Sequence, residues 1–332
     1  MKLKIKNIGY LLIAFIVVQT FFACNDEWKD EQYEKYVSFV RSGYQNIYLN
    51  YDSENGVVKY KIPVQISGTT GNDRNVQVTI GIDPDTLHAM NLSRYYNRED
   101  LFFRLLNPQY YTFETMTTTI PAGKKVGYID IDFKISDLDL VEKYVLPLNI
   151  IETSEYMPSP KKWYRRSLMR IVPFNDFSGT YSATGGTITE SDSNTPTSVD
   201  TREMRVVDHN TVFFYAGLTE EDARNRALYK VKASFNPSTE SSDRGMVTLS
   251  ADEDAIDFTF RPENCYYTIN TRMDELQPYL QIKTITLYLN YTYDDISNPN
   301  FKVKYNFNGS YVLERRRNTQ IPEEDQQYIF DY

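Results

Sequence analysis

The sequence is poor in histidine, cysteine and tryptophan, with only two of each among 332 residues. Neither His88 nor His209 stands in a metal-ligand spacing such as HExxH. A Gly-x-Ser-x-Gly nucleophile elbow, a P-loop and a dinucleotide-binding glycine pattern are also missing. The sequence therefore gives no support for the common hydrolase or nucleotide-dependent chemistries. We expect a protein that is not an enzyme and that carries no metal and no other cofactor.

Positive charge is also in deficit. The chain has 36 Lys and Arg against 45 Asp and Glu, which gives a net charge of −9. Loss of residues 1–23, argued next, would remove three lysines and no acid, and would leave −12. A net acidic protein lacks the electrostatic footprint of a nucleic-acid-binding or anionic-lipid-binding protein. We therefore expect no nucleic-acid partner.

The first 23 residues have the order of a secretory signal peptide. Three lysines precede an apolar run at 8–22, and the small residue Ala23 comes just before Cys24. The run is shorter than the roughly 20 residues that a helix needs to cross a bilayer. The pattern therefore predicts cleavage before Cys24 rather than a transmembrane anchor.

The Ala23-Cys24 pair at the end of this run resembles the lipobox of bacterial lipoproteins. The resemblance implies that the Cys24 sulfur takes a diacylglycerol and that the freed amino group is acylated, so that the protein meets the membrane only through its lipid. The acidic stretch 25–31 resembles the surface-export signal of Bacteroidetes lipoproteins, which implies an outer-membrane location facing the cell exterior. The alternative is an ordinary signal peptide with an incidental cysteine. With Cys24 lipidated, Cys265 has no disulfide partner within the chain.

Alternation of apolar and polar residues predicts β-structure throughout. Ile129, Ile131, Phe133 and Ile135 fall on one face of a strand, and polar residues fall on the other, which is typical of a half-buried strand. Several such strands separated by turn signals indicate an antiparallel sandwich. Further strands are predicted at 57–66, 76–82 and 144–151, and a helical or irregular insert at 84–106.

A domain boundary is predicted near 173–176, where a new series of strands begins. The strongest pair, 282–293 and 301–315, is joined by a long hairpin loop. A meander of this kind predicts a β-barrel or a tight sandwich. The predicted organisation is a signal peptide at 1–23, a tether at 24–35, a sandwich domain at 36–173 and a barrel domain at 174–332.

Several segments resemble domains of Bacteroidetes surface lipoproteins. Segments 120–123 and 143–148 resemble an N-terminal immunoglobulin-like domain, and segments 177–181, 289–295 and 309–315 resemble a lipocalin-like partner domain. The implied fold is all-β, an immunoglobulin-like β-sandwich followed by a lipocalin-like β-barrel or tight sandwich. The pair is similar to accessory proteins of starch-utilisation-like polysaccharide loci. That similarity implies capture of a glycan at the cell surface and its transfer to a TonB-dependent transporter with its lid lipoprotein.

Exposed aromatic side chains flanked by polar groups are the candidates for glycan binding. A flat ring covers the apolar face of a sugar while neighbouring polar groups bond its hydroxyls. Trp163 and Tyr164 lie among basic residues near the domain junction, and Tyr291 and Tyr293 share one strand face beside a loop rich in Asp and Asn. We predict these four residues as ligand-binding residues. The alternative for Trp163 is a plug in the core or between the domains.

Four other interpretations stay open. Asp130 and Asp132 share a strand face, so a glycosidase carboxylate pair competes with a solvated face. The acidic loops 252–254 and 294–295 could hold Ca²⁺ or be ordinary turns. In place of glycan binding, the chain could serve as a structural, scaffold or adhesin-like component of an outer-membrane uptake complex. It could also carry a small apolar ligand inside an open barrel.

Overall fold

A computed structural model of the chain describes residues 30–51, 56–193, 195–239 and 241–322. The predicted signal peptide, the lipidation site Cys24 and the first half of the predicted tether lie outside these residues. Within the described ranges, no helix is both long enough and apolar enough to cross a membrane.

The N-terminal domain consists of two β-sheets packed face to face. One sheet has the strand order β10-β1-β3-β8-β6, and the other has the order β2-β11-β9-β4-β7 with β5 beside β9. The strands are β1 (Tyr36–Phe39), β2 (Gly43–Asn50), β3 (Val57–Ile66), β4 (Val76–Ile82), β5 (Arg104–Leu105), β6 (Tyr111–Phe113), β7 (Thr117–Ile120), β8 (Val126–Lys134), β9 (Tyr144–Thr153), β10 (Met157–Pro158) and β11 (Arg166–Phe174).

The alternation predicted for residues 128–135 is confirmed in β8. Ile129, Ile131 and Phe133 are buried against the second sheet, and the residues between them are exposed. β3 pairs with β8 in antiparallel register, with Ile62 opposite Ile129. Because side chains alternate between the two faces of a strand, this register places both apolar rows in one core.

The predicted insert after β4 is partly helical. Helix α1 spans Pro84–Tyr95, and the Asp83 side chain accepts a hydrogen bond from the Thr86 backbone N–H, a typical N-cap. Pro84 stands at the first helical position, where its missing N–H costs nothing. Short 3₁₀ turns occur at Glu99–Leu101, Pro108–Tyr110, Arg226–Tyr229, Asp254–Ile256 and Pro262–Asn264.

The C-terminal domain is a closed antiparallel barrel. β21 pairs with both β12 and β20, which closes the order β12-β14-β15-β16-β17-β19-β20-β21 into a ring. The strands are β12 (Gly179–Glu190), β13 (Pro196–Thr197), β14 (Thr201–Val206), β15 (Thr211–Tyr215), β16 (Lys230–Pro237), β17 (Arg244–Ala251), β18 (Thr259–Phe260), β19 (Tyr266–Met273), β20 (Leu280–Asp295) and β21 (Val303–Asn318). The predicted fold class is confirmed, and the open choice between barrel and tight sandwich is decided for the barrel.

The seam that closes the barrel depends on two glycines. Gly186 of β12 lies opposite Gly309 of β21, and Gly309 has a φ of +150°. A Cβ placed on Gly309 would lie 2.3 Å from the Gly186 Cα. The two strands can therefore approach this closely only because neither residue has a side chain.

Large aromatic side chains fill the barrel. Phe214, Tyr291, Phe307 and Tyr311 pack against one another in its interior, with the Tyr291 and Phe307 rings stacked at a centroid distance of 4.9 Å. A barrel of about eight strands is just wide enough for side chains to fill it. The hypothesis of an open cup for a small apolar ligand is therefore wrong.

The two domains share one apolar core at their junction. Val206, Phe213 and Tyr215 lie on the outer face of the barrel, and they belong to the core cluster of the sandwich. The chain passes from β11 to β12 through residues 175–178. There the Asn175 side chain accepts hydrogen bonds from two backbone N–H groups of the turn and donates one to the Asp208 carbonyl. This packing fixes the position of the barrel relative to the sandwich.

Candidate functional site

A cleft of about 700 Å³ opens on the N-terminal domain beside β1. Three tyrosines, several neutral polar side chains and the charged residues Glu34 and Lys161 line it. We call it the aromatic cleft, and its main residues are Tyr33, Tyr36, Ser38, Gln65, Ser67 and Tyr164.

Backbone hydrogen bonds hold the two sides of the aromatic cleft together. The Tyr36 N–H donates to the Ser67 hydroxyl at 3.0 Å, and the Ser67 N–H donates back to the Tyr36 carbonyl at 2.9 Å. Across the cleft, the Phe39 N–H donates to the Tyr164 carbonyl at 2.9 Å. Tyr164 is thereby fixed to β1 although it lies in a loop. The site is preorganised by the sheet behind it.

Glu31 fastens the N-terminal segment to the loop that forms one rim of the aromatic cleft. Its carboxylate accepts hydrogen bonds from the Thr69 N–H at 2.7 Å and from the Thr70 N–H and hydroxyl at 3.1 and 2.7 Å. These bonds favour the ionised form and lower the pKa of Glu31 from 4.5 to about 2. The hydrogen bond from the Thr69 N–H makes the largest contribution. This part of the predicted tether (24–35) is therefore held in place at neutral pH.

Two of the four predicted ligand-binding residues, Trp163 and Tyr164, are solvent-exposed. Trp163 is 58% exposed and Tyr164 is 48% exposed. Tyr164 lines the aromatic cleft, whereas Trp163 lies beside Gly43 at the start of β2 and does not line it. Lys161 stands 5.4 Å from the centroid of the Tyr164 ring. The alternative of Trp163 as a buried plug is wrong, because the surrounding loop turns its ring outward.

The other two, Tyr291 and Tyr293, are buried, and their predicted exposure is corrected. They are 1% and 2% exposed, and their hydroxyls accept hydrogen bonds from the Gly217 and Leu218 N–H groups at 3.1 and 3.2 Å. Burial raises the pKa of both phenols. Alternation did place the two rings on one face. That face points into the barrel, where a sugar has no access to them.

A second cavity, also of about 700 Å³, lies at one end of the barrel. Phe177 forms its floor and stacks on Phe235, with ring centroids 3.8 Å apart and planes within 7°. Tyr267 meets both rings edge-on at 5.5 and 5.3 Å. We call this cavity the barrel-end pocket. No local sequence pattern predicts Phe177 as a site residue, although it opens the 177–181 segment that carries the lipocalin-like resemblance.

Basic side chains form one wall of the barrel-end pocket. Lys283 of β20 lies 3.0 Å from the Asp176 carboxylate, and Arg315 of β21 lies 3.9 Å from the same carboxylate. Arg315 also donates to the carbonyl oxygens of Asn175, at 2.7 Å, and Ser178. The guanidinium of Arg315 is therefore held in a fixed position against the turn that enters the barrel.

Three of the acidic residues considered for metal binding or catalysis, Asp130, Asp252 and Asp294, are engaged in ion pairs. Asp252 lies between Lys230 and Lys232, and Asp294 lies 3.6 Å from Lys304. Asp130 is an exposed residue paired across the sheet with a lysine at 3.9 Å. Among the described residues, no three His, Cys, Asp or Glu side chains are grouped so that they could hold a metal ion.

Comparison with family models divides the chain in two. Residues 28–154 match the model of a domain of unknown function, DUF4973. Residues 165–311 match a model described only as a C-terminal domain. No curated protein matches the chain.

Solved structures match the chain over both domains. A Bacteroides ovatus protein of unknown function is 33% identical with a TM-score of 0.80, and the match covers 88% of this chain and 99% of that one. A Bacteroides ovatus multidomain protein that includes DUF1735 is 32% identical with a TM-score of 0.78, over 88% and 99% of the two chains. An auxiliary nutrient binding protein from Bacteroides thetaiotaomicron is 30% identical with a TM-score of 0.77, over 86% and 95%.

The fold and the cavities define a two-domain, all-β protein with a preorganised cleft on its sandwich and a filled barrel behind it. The chain belongs to the family of these Bacteroides proteins, in which one member is described as an auxiliary nutrient binding protein.

Proposed function

We propose that this chain is a non-catalytic glycan-binding lipoprotein of the outer membrane. It is anchored through Cys24, faces the cell exterior, and captures a glycan for uptake by a TonB-dependent transporter and its lid lipoprotein. The observation that carries this proposal is the aromatic cleft, where exposed tyrosine rings stand beside amide and hydroxyl groups. The name of the Bacteroides thetaiotaomicron relative, an auxiliary nutrient binding protein, supports the same class of function.

The chemistry of the aromatic cleft suits a neutral sugar. The Tyr164 ring presents a half-exposed face, which can cover the apolar side of a pyranose. Gln65 and Ser67 lie on the opposite strand and loop, where an amide and a hydroxyl can exchange hydrogen bonds with sugar hydroxyls. The volume of about 700 Å³ lies within the range of roughly 300–1,000 Å³ that is typical of ligand pockets.

The location of the cleft suits capture at a membrane surface. Glu31 holds the N-terminal segment against the rim of the cleft, and only six residues separate Glu31 from Cys24 in the sequence. A cleft this close to the anchor would stay near the mouth of a transporter in the same membrane. Many anchored copies would add avidity to a weak single site.

The test is a glycan-array screen of the soluble protein that starts after Cys24, followed by calorimetry on each glycan that binds. We expect Tyr164→Ala to weaken binding by about 10- to 100-fold, which corresponds to the roughly 1–3 kcal/mol of a lost ring contact. The matched control is Tyr266→Ala, which removes an exposed tyrosine from the barrel. Equal affinity for wild type and Tyr164→Ala would exclude the aromatic cleft as the site. Failure of every glycan to bind would favour the scaffold alternative.

A further inference from the structure

The barrel-end pocket lies beyond the aromatic plug that fills the barrel. Residues on β19, β20 and β21 continue past Phe177 and turn their inward-facing side chains toward the cavity. In cross-strand register, Thr271 pairs with Lys283, and Lys283 pairs with Arg315. Because side chains directly opposite one another share a face, these three residues form one continuous wall. Ligands can reach this wall from solvent without entering the barrel.

The floor of the pocket supplies an aromatic surface. Phe235 and Tyr267 are each 1% exposed, whereas Phe177, which stacks on Phe235, is only partly buried. The accessible face of Phe177 is therefore the one that a ligand would meet. A ring fixed by stacking loses little conformational freedom when a sugar packs on it.

The charge of the pocket contrasts with that of the chain. Four basic and two acidic side chains line the cavity, although the whole chain carries a net charge of −9. The basic residues are Lys283, Arg315, Arg316 and Arg317, and the acidic residues are Asp176 and Asp243. A concave basic patch on an acidic protein concentrates anionic ligands at that point of the surface.

Asp176 shows how a carboxylate binds to the basic wall of the pocket. Its carboxylate lies 3.0 Å from Lys283 and 3.9 Å from Arg315, and its side chain is 70% exposed. The two cations stand on neighbouring strands, and Arg315 is held in place by the Asn175 and Ser178 carbonyls. The position between Lys283 and Arg315 is thus a ready carboxylate site that an exposed side chain of the protein itself occupies.

We propose that the barrel-end pocket is a second binding site, whose ligand is a sugar unit that carries a carboxylate or a sulfate. The sugar ring packs on Phe177, and its acidic group competes with Asp176 for Lys283 and Arg315. Thr271 and Gln281 line the same wall and supply hydrogen bonds to the hydroxyls. The site is separate from the aromatic cleft and does not depend on it.

The test is calorimetry with three probes: an oligogalacturonate, a sulfated oligosaccharide of similar length, and a neutral galactose oligosaccharide. We expect binding of at least one charged probe, no binding of the neutral probe at this site, and weaker binding as the salt concentration rises. The charged probe that binds with the higher affinity identifies the acidic group that the site prefers. Lys283→Gln should weaken binding by about tenfold or more, because a charged hydrogen bond is lost.

Asp176→Asn is the opposing variant. It removes the internal competitor and should strengthen binding of the same charged probe several-fold, a gain that a damaged fold would not give. Tyr164→Ala, in the aromatic cleft, should leave this affinity unchanged.

Three results would overturn the proposal. The first is that neither charged probe binds to wild type or to Asp176→Asn. The second is that affinity persists unchanged in Lys283→Gln. The third is that binding of the charged probes is lost in Tyr164→Ala, which would place them in the aromatic cleft.

Discussion

Arg205 of the barrel donates a hydrogen bond to the backbone carbonyl of Leu140 in the sandwich, at 2.8 Å. The same guanidinium is paired with Glu203 at 2.9 Å and with Glu221, and its side chain is only 7% exposed. Burial alone would raise the pKa of Glu203, but the Arg205 charge outweighs burial and holds that pKa below its usual value. A single cation therefore joins the two domains and pairs with two acids at their junction.

Replacement of Arg205 should destabilise the whole molecule. Arg205→Met would leave Glu203 and Glu221 without their partner in a buried place, and we expect a loss of about 3–5 kcal/mol in the free energy of unfolding. Denaturant unfolding measures it. The matched control is Arg74→Met, which breaks an exposed pair with Glu155 at 2.7 Å and should cost less than about 1 kcal/mol. Similar losses in the two variants would show that Arg205 stabilises the fold no more than an exposed ion pair does.

The contact between Glu31 and the loop that contains Thr69 and Thr70 should weaken as the pH falls. Its pKa is lowered from 4.5 to about 2 in the folded protein, so the ionised form stabilises the contact. A lowered pKa means that this stabilisation is present above pH 4.5 and is lost as the pH falls toward 2. Hydrogen-exchange protection of the Thr69 and Thr70 amides should fall over that interval.

The corresponding variant, Glu31→Gln, should show reduced protection of these amides already at neutral pH. Glu34→Gln is the control, because Glu34 accepts its hydrogen bond from the Tyr36 hydroxyl and not from Thr69 or Thr70. Unchanged protection of the two amides in Glu31→Gln would show that the loop holds its shape without the carboxylate.

Tyr291→Phe should affect stability and not ligand binding. The change removes a buried hydroxyl that accepts the Gly217 N–H at 3.1 Å, and we expect a loss of about 1 kcal/mol in the free energy of unfolding. Thermal and denaturant unfolding report the loss, and calorimetry with any bound glycan should give the wild-type affinity. A clear drop in affinity at unchanged stability would return Tyr291 to the list of ligand-binding residues.

Gly309→Ala should open the barrel seam. The new Cβ would stand 2.3 Å from the Gly186 Cα, and a φ of +150° strains any residue other than glycine. We expect a loss of at least about 1–3 kcal/mol, or failure to fold. Gly71→Ala is the control, because a Cβ at Gly71 meets open space.

Much of the fold could be predicted from the sequence, because alternation over long strands is a strong local signal. The two-residue period identified β8 and the β20–β21 hairpin, and the turn residues separated them. The direction of each face was harder to assign. The strand that carries Tyr291 and Tyr293 looks amphipathic in sequence. Only the closure of the barrel by β12 and β21 places the face of these two residues inside.

The candidate sites were less predictable than the fold, because each one combines residues that are distant in the sequence. The aromatic cleft joins Tyr33 and Tyr36 to Tyr164 through backbone pairing that no local pattern encodes. The barrel-end pocket needs Phe177 from the first strand region together with Lys283 and Arg315 from the last two. Tyr164 could be predicted from the sequence because the basic residues around it indicate an exposed loop.

The shared core between sandwich and barrel holds the two ends of strand β2 at a fixed distance from the features beside them. Strand β2 starts at Gly43, beside Trp163, and ends at Asn50, which lines the barrel-end pocket. Eight residues of extended strand cover roughly 24–27 Å. Since the domains do not hinge apart without exposing that core, the interval between Trp163 and the barrel-end pocket is fixed, and a ligand that contacts both must be at least this long.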